Sequence, residues 1–232
     1  MLTNLPVRAS GFKVLGKAML NMDLMGNPDQ TVTTELYIDG ESRPSSEGST
    51  YSLYNPARPD ELVGHAQEAT SEDVDMAVRA AHRAYPKWAA LSYAERADYL
   101  TRIANYLIED EQDLIYRSRL FCREHGKILR ETVLELSRLG ERFHLSAAYA
   151  ERLGEDEKLP GPPFDTIITR QPRGVAALIV PWNWPLSILG AKLPQALMAG
   201  NTVVVKLSEN AALSPTMTLH KIAGMLPPGV VN

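Results

Sequence analysis

The sequence predicts an α/β protein: a helical N-terminal segment followed by an incomplete doubly wound parallel sheet, a partial Rossmann-like arrangement. Three observations predict it. Gly174 to Val180 is an unbroken apolar run, as in a strand buried on both faces, and Thr202 to Lys206 repeats the pattern. Helix-start signals lie between and after these runs. Pro185 opens a helix whose inward face is Leu186, Leu189, Leu193 and Leu197, ended by Gly200. Ser214-Pro215 opens another over Met217 to Met225, with serine as N-cap and proline in the first turn. Finally, Pro227-Pro228-Gly229 leads into Val230-Val231, a third strand beginning. The order β-α-β-α-β is half of a doubly wound sheet, whose ligands sit beyond the carboxyl ends of the strands.

Upstream, Glu35 to Asp39 alternates, turns at Asp39-Gly40, and resumes as Tyr51 to Tyr54, which reads as a short hairpin ended by Asn55-Pro56. A helix follows with Val74, Ala77, Val78, Ala81 and Tyr85 on one face, closed by Pro86. The next opens on the capping box Ser92-Tyr93-Ala94-Glu95 and carries Ala97, Leu100, Ile103, Ala104 and Leu107. Helix continues from Glu111 to Cys122, interrupted at Gly126, and a last one from Leu129 to Ala150 carries Val133, Leu136, Leu139 and Phe143. These stripes read as core. Gly154 to Pro163 is an acidic, Pro/Gly-rich connector, and Phe164 to Gln171 is β-prone.

Composition excludes several classes. With 44% hydrophobic and 22% charged residues, the 232-residue chain is of ordinary globular type. A net charge of −4 with scattered basic residues gives no general attraction to nucleic acid or an anionic membrane. No apolar run approaches the ~20 residues that span a bilayer. Cys122 has no disulfide partner in the chain, so a reducing, cytoplasmic setting is the default. The histidines His65, His82, His125, His144 and His220 lack metal-ligand spacing, and no metal site is expected.

The chemistry concentrates in Pro181-Trp182-Asn183-Trp184-Pro185, at the carboxyl end of the first parallel strand. Two prolines fix the turn, two tryptophans shield it, and one carboxamide stands between them. A rigid amide in a dry site can donate a hydrogen bond to a developing oxyanion, worth ~3–4 kcal/mol in comparable sites. The rival reading is that Asn183 caps the helix beginning two residues later.

The stretch VAALIVPWNWPLSILGAKLPQALMAGNTVVVKLSENAALSP closely resembles the aldehyde dehydrogenase family, whose pattern reads P-W-N-[FW]-P, then A-G-N-T-V-V, then K-P-S-E. Weaker agreements are Tyr54-Asn55-Pro56-Ala57, Trp88, Glu124-His125-Gly126-Lys127, Gln171-Pro172-Arg173-Gly174 and Leu226 to Asn232. The resemblance implies NAD as cofactor, with NADP possible, and oxidation of a small-molecule aldehyde to a carboxylic acid. It implies that Asn183 stabilises the oxyanion, that Ile179, Val180, Pro181 and Trp182 line the nicotinamide side, and that Lys206 and Glu209 grip the adenosine ribose. A carboxylate at Glu209 would repel the 2′-phosphate of NADP, which Ser208 and Lys206 could accommodate if Glu209 turned away. The rival for Lys206 and Glu209 is an exposed ion pair worth little. Leu207 departs from the family's proline, and Pro194 sits one residue early.

The implied layout is an extension over residues 1–34, a partial NAD(P)-binding domain over 35–153 and 173–232, and a bridging segment over 154–172 that joins subunits of a homo-oligomer. The family's nucleophilic cysteine and general-base glutamate are expected beyond residue 232. The catalytic domain is thus expected to be absent and this chain inactive alone. The alternative is a truncated remnant that binds nucleotide weakly or docks with complete subunits. Cys122, in a helical, charge-rich stretch upstream of the cofactor half, reads as a structural thiol.

Overall fold

The computed structural model describes residues 30–232; the rest of the expected extension, residues 1–29, lies outside the described residues. Strands β2 (Leu36–Ile38) and β3 (Glu41–Arg43) form an antiparallel hairpin. Its turn residues Asp39 (φ 55°) and Gly40 (φ 88°) are both left-handed, as two-residue hairpin turns require. The expected pairing of this region with Tyr51 to Tyr54 does not occur. Instead β4 (Thr50–Asn55) turns locally, with the Ala57 N–H donating to Asn55 Oδ1 at 3.0 Å, and pairs antiparallel with β5 (Arg58–Gln67). Strand β1 (Val32–Thr33), within the stretch expected as extension, adds parallel to the other edge of β5.

Helix α1 (Ser71–Ala89) starts at a capping box made by Thr70 and Asp73. Its buried face is Ala77, Ala80, Ala81 and Trp88, whereas Val74 and Val78, expected inside, are 51% and 42% exposed. Close approach selects the alanines. Thr202 Oγ1 donates to the Ala81 carbonyl at 2.9 Å, and a Cβ on Gly229 would sit 2.7 Å from the Ala80 carbonyl. Pro86 does not close the helix; it lies inside it, and Trp88 beyond it is buried with Nε1 donating to the Leu197 carbonyl.

Helix α2 (Tyr93–Glu109) has the expected Ser92–Glu95 box and buries Leu100, Ile103, Ala104 and Leu107. Helix α3 (Glu111–His125) is capped by Asp110 and stopped by Gly126, whose φ of 77° suits the left-handed C-cap. Helix α4 (Leu129–Ala147) buries Val133, Leu136, Leu139 and Phe143 against α2, and the short α5 (Ala150–Gly154) follows. The connector contains a strand that its composition concealed. There β6 (Glu157–Leu159) and β7 (Thr166–Ile168) make an antiparallel hairpin, every strand residue of which is exposed.

The parallel sheet has the expected order. Strand β8 (Val175–Ile179) pairs in parallel with β9 (Thr202–Lys206), and Val231 bridges in parallel to Val203 on the far side. Between β8 and β9 run α6 (Pro185–Gly190) and α7 (Leu193–Met198), broken at Ala191-Lys192 because Pro194 has no N–H for the Gly190 carbonyl four residues back and its ring crowds it. Leu186, Leu189, Leu193 and Leu197 are all fully buried in one core with α2, α4 and β9. Strand β8 is not buried on both faces: its last residue, Ile179, is 75% exposed, since it ends at an open rim. Helix α8 (Ser214–Ala223) has Leu213 at its N-cap, not Ser214. The Ser214 hydroxyl donates instead to the Arg117 carbonyl at 2.8 Å.

Candidate active site

The parallel register decides where the chemistry-bearing residues stand. Ile179, ending β8, pairs with Lys206, ending β9, and the Val180 N–H donates to the Lys206 carbonyl at 3.0 Å. The Pro181–Pro185 loop and the Lys206–Glu209 loop therefore leave the sheet side by side at its carboxyl edge, the side on which such sheets bind ligands.

The Asn183 loop is held by its main chain. Lys127 Nζ donates to the Asn183 carbonyl at 2.8 Å, and His125 Nε2 lies 2.8 Å from the Trp182 carbonyl, which can only accept. Lys127 also pairs with Glu135 at 2.7 Å, and the two side chains are 6% and 0% exposed. The other Glu135 oxygen accepts the N–H groups of Leu186 and Ser187, both at 2.9 Å. Glu135 thus supplies the cap of α6, whose N-cap residue Trp184 makes no side-chain cap bond. The capping reading of Asn183 is excluded, and its residue is exposed at the rim. The Lys127 ammonium lies 4.0 Å from the Trp184 ring centroid, so the second tryptophan packs on the cation that holds the loop.

The other predicted residues divide. Pro181 and Trp182 are exposed beside Ile179, Trp182 by 54%. Val180 is buried in the core at 2%, which leaves only its main chain at the rim. Lys206 Nζ meets Glu209 Oε2 at 3.0 Å, with both side chains 63% exposed. Glu209's own backbone N–H, then Lys206, hold its carboxyl below the usual value. Ser208 is buried, and its Oγ accepts the Asn210 N–H at 3.3 Å. The loop after it is anchored by Glu124, which accepts the Leu213 N–H at 2.7 Å and the Ser214 N–H at 2.8 Å. Cys122 is half-buried on α3, and burial pushes its thiol up despite Arg119, the reverse of an activated thiolate.

Sequence reasoning missed Glu124, His125, Lys127 and Glu135 as site-building residues. Glu124-His125-Gly126-Lys127 stood out only as part of a resemblance, and no local spacing reveals contacts that reach more than fifty residues away. Among the described residues no cluster of His, Cys, Asp or Glu could hold a metal ion. No described helix is long and apolar enough to cross a membrane.

Residues 43–232 match the aldehyde dehydrogenase family. Over 211 residues the chain is 38% identical to a chloroplastic aminoaldehyde dehydrogenase of Arabidopsis thaliana, covering 86% of this chain and 41% of that protein. It is also 38% identical over 203 residues to aldehyde dehydrogenase [NAD(P)+] 2 of Saccharomyces cerevisiae, covering 85% and 39%. Among solved structures, PnpE from Pseudomonas sp. WBC-3 superposes with a TM-score of 0.78 at 34% identity, covering 87% and 41%, and a PnpE structure with nicotinamide adenine dinucleotide matches equally. An NAD-dependent aldehyde dehydrogenase from Sinorhizobium meliloti gives a TM-score of 0.79 at 29% identity, covering 87% and 40%. The chain spans about two fifths of the length of the curated relatives it matches. The motif, the sheet that presents it and the match across most of the sequence agree: this chain belongs to the aldehyde dehydrogenase family.

Proposed function

We propose that this chain forms the nucleotide-binding part of an NAD-dependent aldehyde dehydrogenase. Asn183 would donate a hydrogen bond to the oxyanion formed from the aldehyde, while Lys206 and Glu209 hold the adenosine ribose. The observation that carries the reading is the Ile179–Lys206 register, which brings the two loops to one rim. The residues suit a dinucleotide: an exposed apolar surface at Ile179 and Trp182 for a flat heterocycle, and an exposed ammonium and carboxylate for vicinal hydroxyls. Ser208 is buried with its hydroxyl engaged by the Asn210 N–H, so a nucleotide would meet it only through the loop backbone. Nicotinamide bound there would supply hydride acceptance.

The protein's part is electrostatic and geometric. When a nucleophile adds to the aldehyde, its carbonyl oxygen gains a full charge. A carboxamide whose backbone is already tied by Lys127 and His125 meets that charge without reorganising. Cys122 is not that nucleophile, because it lies on α3 with its thiolate disfavoured by burial. The described residues therefore hold cofactor and oxyanion but do not turn over aldehyde by themselves. The exposed β6–β7 hairpin, with Leu159 46%, Phe164 81% and Ile167 57% exposed, serves as the bridge between subunits of a homo-oligomer. The lone, half-buried thiol fits a reducing cytoplasm; the relative in Arabidopsis is named as chloroplastic.

Titration calorimetry with NAD and NADP tests the cofactor assignment. NAD should bind more tightly, and Glu209→Gln should narrow the gap by relieving repulsion of the 2′-phosphate. Equal affinities in the unmodified chain, or a gap that Glu209→Gln leaves untouched, would contradict it.

A further inference from the structure

We propose that Glu124-His125-Gly126-Lys127, the turn that closes α3, is a positioning clamp that fixes the Asn183 loop and the Lys206–Glu209 loop relative to one another. Its functional sense rests on the reading above, in which these loops hold opposite ends of one dinucleotide. Three residues within four consecutive positions reach the two loops. Glu124 takes the N–H groups of Leu213 and Ser214, where the chain leaves Glu209 for α8. His125 donates to the Trp182 carbonyl, and Lys127 to the Asn183 carbonyl. Through Glu135, Lys127 also governs the N–H groups of Leu186 and Ser187. The backbone on both sides of Asn183 is thereby tied to the element that ties the other loop.

The turn itself is tightly packed. Gly126 has a φ of 77°, and a Cβ there would come within 2.7 Å of Pro56 Cγ, so the turn between β4 and β5 backs it from outside. His125 distinguishes a clamp from simple packing. Its ring stacks edge-on against Phe121 at 5.3 Å and lies 5.9 Å from Trp182, contacts that a phenylalanine would keep. Because Nε2 carries the hydrogen given to Trp182, Nδ1 is a bare acceptor, buried and without a partner among the described residues. Packing alone would favour an apolar ring there. What the histidine adds is a second donor to the loop, one residue before the carbonyl that Lys127 holds.

Hydrogen exchange at single-amide resolution on the whole chain tests this. His125→Phe should raise exchange about tenfold or more at Leu186 and Ser187 and also at Leu213 and Ser214, with Ile103 and Leu107 in α2 unchanged. His125→Gln, which restores a donor, should recover the protection. Glu124→Gln should loosen Leu186 and Ser187 as well as the amides it touches. If each variant loosens only the loop it contacts, or His125→Phe leaves both loops protected, the clamp is refuted. Should Glu124→Gln fail to fold, His125→Phe decides alone. A wild-type chain that binds no dinucleotide yet shows the coupled exchange would sink the functional reading and support the clamp.

Discussion

Replacing Lys127 with methionine separates two lysine–glutamate pairs of similar length but opposite burial. Lys127 and Glu135 meet at 2.7 Å with side chains 6% and 0% exposed, whereas Lys206 and Glu209 meet at 3.0 Å with both 63% exposed. Methionine fills the space of the lysine stem but strands the Glu135 carboxylate, which keeps only the N–H groups of Leu186 and Ser187. Breaking a buried pair in this way costs about 3–5 kcal/mol, because an uncompensated charge stays behind. That is a large part of the 5–15 kcal/mol typical of a domain. Urea unfolding followed by circular dichroism should show the loss directly. Lys127→Met/Glu135→Gln, which removes the stranded charge while keeping a carbonyl acceptor, should be more stable than Lys127→Met alone. Lys206→Met should leave the midpoint unchanged. A cost for Lys127→Met below about 1 kcal/mol, or a double variant weaker than the single one, would refute the assignment of Lys127 as the buried counter-ion.

Other consequences follow from named groups. Burial pushes the Glu124 carboxyl up to about 8, against the hydrogen bonds of Leu213, Ser214 and Ala212 that favour its charged form. A raised folded-state value means the fold binds the proton more tightly than the unfolded chain. Its contribution is complete below the ordinary value of 4.5 and is lost as pH rises through about 8. Thermal melts from about pH 5 to about pH 9 should fall less steeply for Glu124→Gln, and parallel slopes would count against this term. Gly126→Ala should cost about 1–2 kcal/mol or more in urea melts, from the left-handed backbone and the Pro56 contact. Iodoacetamide should modify Cys122 more slowly than a free thiol, and NAD affinity measured by calorimetry should survive; lost binding would place the thiol at the site.

The parallel sheet was legible in the sequence because its signals are local: Gly174 to Val180, Pro185 and Thr202 to Lys206 each announce themselves within a few residues. Strand β5 was not, since its first residues, Arg58-Pro59-Asp60, are exposed and lack an apolar alternation, and pairing with β4 makes it a strand. The inward face of α1 was misread because a hydrophobicity pattern favours valine, while the tight approach to Thr202 and Gly229 admits only alanine. Ser214 carried the right residue type for an N-cap, yet the buried carboxyl of Glu124 from α3 takes those amides. The same holds at the site. PWNWP marks the loop, but the lysine and glutamate that hold it lie on distant segments, and only the fold brings them together.

The most direct test of the central claim is a titration of the isotopically labelled chain with NAD, following backbone amides by NMR. Trp182 and Asn183 should shift together with Lys206 and Glu209, all fitting one dissociation constant, because one ligand spans both loops at the sheet's carboxyl edge. Shifts confined to one loop, or centred elsewhere on the molecule, would contradict it.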